Sequence, residues 1–188
     1  MASSTKTMLS RLISKNVNLK LERCDMFINK DYQFIHATPD FLVSCDCCGL
    51  GCGEIECPIS ILNGDFGKYL LKKNCCLEKG DVGMKLKRTN NYYYQVQQQL
   101  FTLSDRKFND FVVCGIDQHG NANIVCDWIY PDPQHCKTVM VKLEFFWRIC
   151  ILPELLRRWY TRKCHLLTLL LTLLMLPKGS SAIIYKFK

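Results

Sequence analysis

The sequence has no apolar core near its N-terminus of the kind a secretory signal needs, which removes the main support for a secreted disulfide scaffold despite 13 cysteines. Neither a Walker loop nor a dinucleotide fingerprint is present, so no nucleotide cofactor is expected. The four histidines, His36, His119, His135 and His165, are scattered. None pairs with a serine or cysteine in a nucleophile motif, which leaves a hydrolase triad without support. There is no internal repeat and no Pro- or Ser-rich linker. Proline (6) and glycine (10) sit near average usage, which excludes collagen-like and low-complexity chains. The longest apolar run, from His165 to Pro177, falls short of the ~18–20 residues that cross a bilayer. It reads as a buried or interfacial helix. Membrane association is the lesser reading, drawn from the basic collar Arg157–Lys163 before it.

What is present is 188 residues, 48% of them apolar, enough for one ordinary globular domain with a real core. The odd number of cysteines points to a reducing compartment inside the cell, nucleus or cytoplasm, with most thiols acting as small buried hydrophobes. Charge is unevenly spread. From Lys137 onward ten basic residues face only Glu144 and Glu154, so this stretch carries the whole formal excess of +8 while residues 1–136 balance at zero. Such a basic third suits a polyanion, either nucleic acid or an anionic membrane surface, and a solvated helical face is the plainer alternative.

Two hairpins are expected. In the first, between Cys24 and Ser60, Ile35, Ala37, Phe41 and Val43 alternate along one strand, and Gly49, Gly51 and Gly53 punctuate the way to a second short strand, Glu54–Cys57. The second spans Cys75–Arg88, with Gly80, Asp81 and Gly83 supplying the turn. After Thr89 or Asn90, either a fit N-cap, the period changes to 3.6: Tyr93, Val96, Leu100 and Leu103 share a face while Gln95, Gln98 and Gln99 point elsewhere. Strands then follow over Phe108–Ile116 and Asn121–Ile129. A helix over Lys137–Cys150 carries a Leu143, Phe146, Trp147 and Cys150 stripe, and Pro153 should kink or restart it, leaving Glu154–Lys163 as a separate basic turn or two.

Two constellations could carry chemistry. Asp40 closes the first strand of the first hairpin, and Glu54 and Glu56, two apart on the second, share a face, so Asp40 and Glu54 can approach closely. Gathered carboxylates are costly unless neutralised, and a hard divalent cation is the usual solution, although exposed acids without a metal are common on hairpins. The other constellation is Cys45, Cys47, Cys48, Cys52 and Cys57. Tight cysteine spacing can hold zinc, but a second Cys-x-x-Cys pair is missing, so buried or adventitious thiols rank above a structural zinc site.

The ordered series Ala37-Thr38-Pro39-Asp40, Glu54-Ile55-Glu56-Cys57-Pro58-Ile59-Ser60, Tyr92-Tyr93-Tyr94-Gln95-Val96-Gln97 and Phe111-Val112-Val113 resembles the motifs of the YqaJ-type viral recombinase family. That family includes the phage lambda-type exonucleases and belongs to the PD-(D/E)XK nuclease superfamily. The resemblance runs from about Cys24 to Lys163. Leu143–Trp147 and Ile151–Leu155 also resemble the closing helix of eukaryotic members.

The resemblance implies an α/β, restriction-endonuclease-like domain over 24–163, with a central mixed sheet flanked by helices, a leading segment 1–23 and an apolar-then-basic tail 164–188. It implies a metal-dependent DNA nuclease, an exonuclease working at duplex ends in DNA processing, recombination or repair, with ring-forming relatives making a homo-oligomer one expectation. Asp40 and Glu54 would bind Mg2+ or Mn2+, with the Ile55 carbonyl as a third oxygen. Gln95 would position water or phosphate, a solvent-facing amide being the alternative. Ser60, Tyr92, Tyr94, Arg157 and Arg158 are the candidate DNA contacts, the tyrosines doubling as core aromatics or a stacking platform. In this sequence the motif lysine is replaced by Glu56. Either that glutamate serves as a base or metal-linked group, or the chain is a catalytically inactive DNA-binding or interaction module that keeps the fold. Some twenty residues precede Cys24 and none reads as the family's preceding acidic helix, which is the expectation for a truncated copy.

Overall fold

The computed structural model describes residues 18–61, 65–81 and 83–162, in two compact units that meet in sequence between Cys136 and Lys137. That boundary is also where the charge changes from balanced to basic. Most of segment 1–23 and the whole apolar tail 164–188 lie outside the described residues, as does His165.

The first unit is built on a five-stranded mixed sheet. Its strands are β1 (Lys20–Glu22), β4 (Phe41–Cys45), β5 (Gly49–Glu56), β8 (Phe108–Ile116) and β9 (Ala122–Ile129), side by side in that order. All neighbours are antiparallel except β5 and β8, which run parallel. Parallel neighbours need a long crossover. Here it comprises α1 (Phe66–Leu70), the β6–β7 hairpin (Leu77–Lys79, Met84–Leu86) and α2 (Asn91–Thr102). The second expected hairpin, the helix and the β8–β9 pair therefore form where the local pattern places them. Asn90 caps α2, its side chain accepting the Tyr92 N–H at 3.0 Å.

The first hairpin is placed differently in detail. The chain breaks at the buried Pro39, which lacks the N–H that a continuous ladder would use. His36–Ala37 becomes β3, paired with β2 (Phe27–Ile28) in a separate small sheet, and Asp40 precedes β4 instead of closing the strand before it. Gly51 and Gly53 are not turn residues. They lie within β5, where a Cβ would fall 2.4 Å from the Phe108 ring and 2.1 Å from the Phe41 ring, so only glycine lets both rings pack flat on the strand.

One sheet face, with Cys52, Phe111, Val113 and Ile129, packs with Tyr93, Val96 and Leu100 of α2 and Leu77 and Leu86 of the small hairpin. The other face centres on Phe41, Val43 and Phe108. Burial of the thiols is less general than composition suggested: of the twelve described cysteines five are buried, and Cys47, Cys57 and Cys126 are exposed.

The described part of the second unit is helical. Helix α3 (Pro133–Phe146) starts earlier than expected, and the helix restarts at Pro153, as expected, in two short pieces. A π-helical turn over Trp147–Ile151 leads into α4 (Leu152–Arg157), with Pro153 in its first turn, and then α5 (Trp159–Arg162). Pro153 cannot donate to the carbonyl of Ile149, four residues earlier, and the Tyr160 hydroxyl donates to that carbonyl instead. The expected apolar stripe is not buried: Phe146 is exposed, and Leu143, Trp147 and Cys150 are half-buried. No helix among the described residues is long and apolar enough to cross a membrane.

Candidate active site

The register of β4 against β5, Phe41 opposite Gly53, sets Asp40 opposite Glu54 one step further along. The Asp40 N–H donates to the Gly53 carbonyl at 3.0 Å, and its Oδ2 accepts the Ile55 N–H at 2.7 Å. Asp40 is thus tied to β5 through both backbone and side chain. On the other side Glu54 pairs with Phe111 of β8, which places its side chain on the face covered by α2.

Glu54 is 7% exposed. Two amides of α2 reach it: Gln95 Nε2 donates to Oε1, and Gln99 Nε2 donates to Oε2 at 2.6 Å. Gln99 in turn accepts from Asn109 Nδ2 of β8 at 2.7 Å. The amide ladder favours the ionised carboxylate, but burial outweighs it, and Asp40 and Glu56 push the same way. The Glu54 carboxyl is raised from 4.5 to about 7.

A raised carboxyl binds its proton more tightly when folded. Its contribution to stability is full below about pH 4.5 and is lost as pH rises through about 7. Urea unfolding with chelator present should therefore show lower stability at pH 8 than at pH 5, by at most about 3 kcal/mol at ~1.4 kcal/mol per unit. Glu54→Gln should remove most of that slope. An equal slope in wild type and variant would mean that another group sets it.

Glu56 lies two residues along β5, half-buried, and its carboxylate pairs with the Tyr92 hydroxyl, whose proton is held more tightly by burial and by this anion. The carboxylate oxygens of Asp40, Glu54 and Glu56 do not all fall within 4.8 Å of one another. The strongest charged influences on Glu54 are both anionic. Two facing carboxylates on neighbouring strands fit a hard divalent ion with oxygen ligands.

The structure therefore gathers Asp40, Glu54, Ile55, Glu56, Gln95 and Tyr92. Tyr94 is not among them. Its ring packs against His135, centroids 4.7 Å apart. Ser60 lies beyond β5, where its carbonyl accepts from Lys72 Nζ at 2.8 Å. Arg157 and Arg158 end α4 in the second unit, both exposed. Gln99 and Asn109 are the residues that sequence reasoning missed. Gln95 and Gln99 stand one helical turn apart, and that i, i+4 spacing was the available signal. A cleft of about 270 Å3 lies on the opposite sheet face, lined by Phe41, Phe108, Trp128, Asp110, Cys45 and Cys48, and includes none of Asp40, Glu54, Glu56 and Gln95.

The sequence matches no family model and no curated protein. Among solved structures, the chain is similar to a crystal structure of an alkaline exonuclease from Laribacter hongkongensis. The TM-score is 0.51 at 17% identity, over 78% of this chain and 64% of that one. The chain thus spans somewhat under two thirds of that protein's length. The likeness establishes the fold, an α/β restriction-endonuclease-like domain, as expected from the motifs.

Proposed function

We propose that this protein is a divalent-metal-dependent DNA nuclease, an exonuclease hydrolysing phosphodiester bonds at duplex ends in DNA processing, recombination or repair. The observation that carries the reading is the buried Glu54 beside Asp40, on a fold shared with an alkaline exonuclease. Asp40, Glu54 and the Ile55 carbonyl would hold Mg2+ or Mn2+, which when bound polarises the scissile phosphate and acidifies a water. Gln95 and Gln99 fix the Glu54 carboxylate in one orientation and keep it ionisable. Tyr92 holds the Glu56 carboxylate. The basic stretch from Lys137, including Arg157 and Arg158, would hold the DNA backbone without sequence readout, and binding would weaken steeply with salt.

Glu56 favours a second reading, an inactive DNA-binding module, because an anion stands where the motif's cation would offset charge building on the phosphate. Purified protein with linear duplex DNA and Mg2+ or Mn2+ separates the two. Nucleotide release supports the enzyme, and salt-sensitive binding without cleavage supports the module. Glu56→Lys should raise cleavage by about tenfold or more, since it restores the favourable field. A fall in rate would mean that the glutamate itself takes part.

A further inference from the structure

The reversal from β4 to β5 places three sulfurs together. Cys45 ends β4 and pairs with Gly49, so Asp46, Cys47 and Cys48 make the turn. Cys45 Sγ lies 3.3 Å from Cys47 Sγ, and Cys47 Sγ lies 3.3 Å from Cys48 Sγ. All three sulfurs fall within 4.8 Å of one another. The Cys48 N–H donates to Cys45 Sγ at 3.0 Å. Gly49 then takes φ +84°, a left-handed conformation that favours glycine. A Cys-x-x-Cys-Gly turn of this shape presents its two cysteines on one side, with a backbone donor stabilising charge on the first sulfur. Here the intervening Cys47 adds a third.

We infer that Cys45, Cys47 and Cys48 form a binding site for zinc, a soft cation matched to thiolate ligands. Zn–S bonds of about 2.3 Å in tetrahedral geometry put ligand sulfurs about 3.8 Å apart, so each sulfur need move only by about half an ångström. A hard cation such as Mg2+ is excluded by the donor type. Since Cys47 is exposed, the fourth position is open to water. Binding converts three thiols to thiolates and releases three protons with no change of oxidation state. The resulting Zn(S)3 centre carries one negative charge. The Lys107 ammonium lies beside the turn to balance it, 3.5 Å from where a Cβ on Gly49 would sit.

The site lies at the opposite end of the β4–β5 ladder from Asp40 and Glu54. Zinc there would clamp the hairpin whose register sets those two residues face to face. This inference stands whether or not the chain cleaves DNA.

The test uses the full chain, reduced and stripped with chelator, titrated with Co2+ and then Zn2+. One Co2+ per chain should give thiolate-to-cobalt charge-transfer absorption, displaced by an equivalent of Zn2+, and Zn2+ should raise Tm. Cys45→Ser and Cys48→Ser should each weaken binding at least about tenfold, the loss that even an outer-shell partner brings. Cys57→Ser, at an exposed thiol just beyond the far end of β5, should leave the titration unchanged. If Cys45→Ser fails to fold, Cys47→Ser at the exposed position makes the same test. Absence of the charge-transfer band in the wild-type chain overturns the proposal. So does a band of equal strength in the Cys45→Ser/Cys48→Ser double variant.

Discussion

Asp40→Ala and Glu54→Ala should each lower metal-dependent cleavage of linear duplex DNA by about a thousandfold, the scale on which removing one preorganised charge-stabilising group acts. The two substitutions differ in their side effects, and that difference makes the test informative. Asp40 is exposed, and its side chain accepts the Ile55 N–H. Its loss should leave Tm nearly unchanged. Glu54 is buried and holds two amide donors, so alanine there strands Gln95 and Gln99 as well as removing the charge. Glu54→Gln keeps the volume and should lose activity as fully as the alanine variant while retaining more stability. Activity is measured as acid-soluble nucleotide released in Mg2+ or Mn2+, with circular dichroism as the check on folding. Cleavage that survives both alanine variants would rule out this pair as the catalytic centre.

The largest loss of stability is expected at Phe111. Its side chain is 0% exposed, and its ring lies 5.7 Å from that of Tyr92. In the sheet it stands between Glu54 on β5 and Asp127 on β9. Phe111→Ala should cost about 3–5 kcal/mol, the lost transfer energy plus a cavity that the flanking strands cannot close. Tm should fall on the order of 10 °C. Ile116→Ala, at a 49% exposed position on the same strand, should stay within about 0.5 kcal/mol and serves as the control. Urea midpoints give both numbers. A loss below about 1 kcal/mol for Phe111→Ala would mean that α2 is not held to the sheet through this ring. Because Tyr92 and the two glutamines belong to α2, loosening it should also slow any cleavage through misplacement of Glu54.

Much of the framework was legible because its signals are local. Gly80-Asp81 and Gly83 announced the β6–β7 turn, Asn90 announced the start of α2, and Tyr93, Val96 and Leu100 gave its buried face. The acidic pair was legible as well, since two strands joined by a short connection bring their residues opposite one another. Pro39 was the exception. A proline within an alternating run marks a break as readily as an edge, and the strand was read through it.

The glycines and glutamines were misread for a different reason. Gly51 and Gly53 read as part of the connection to the second strand because glycine serves connections and close approaches alike, and only the rings of Phe41 and Phe108 against β5 distinguish the two. Gln99 was placed only off the apolar face of the helix, with no partner assigned. It is 1% exposed here because the parallel pairing of β5 with β8 brings Glu54 and Asn109, distant in sequence, under the same helix.

By itself, then, the sequence determined the Cys75–Arg88 hairpin, the helix after it and the β8–β9 pair, the hairpin that opposes Asp40 to Glu54, and the concentration of positive charge beyond Cys136. Spacing, turn chemistry and composition act within a few residues and need no partner. Only the tertiary structure decided that Glu54 is buried under an amide ladder, that Glu56 pairs with Tyr92, and that Tyr94 turns toward His135. Those outcomes depend on which segments meet across the sheet, and burial, which sets proton affinity, comes into being only when they do.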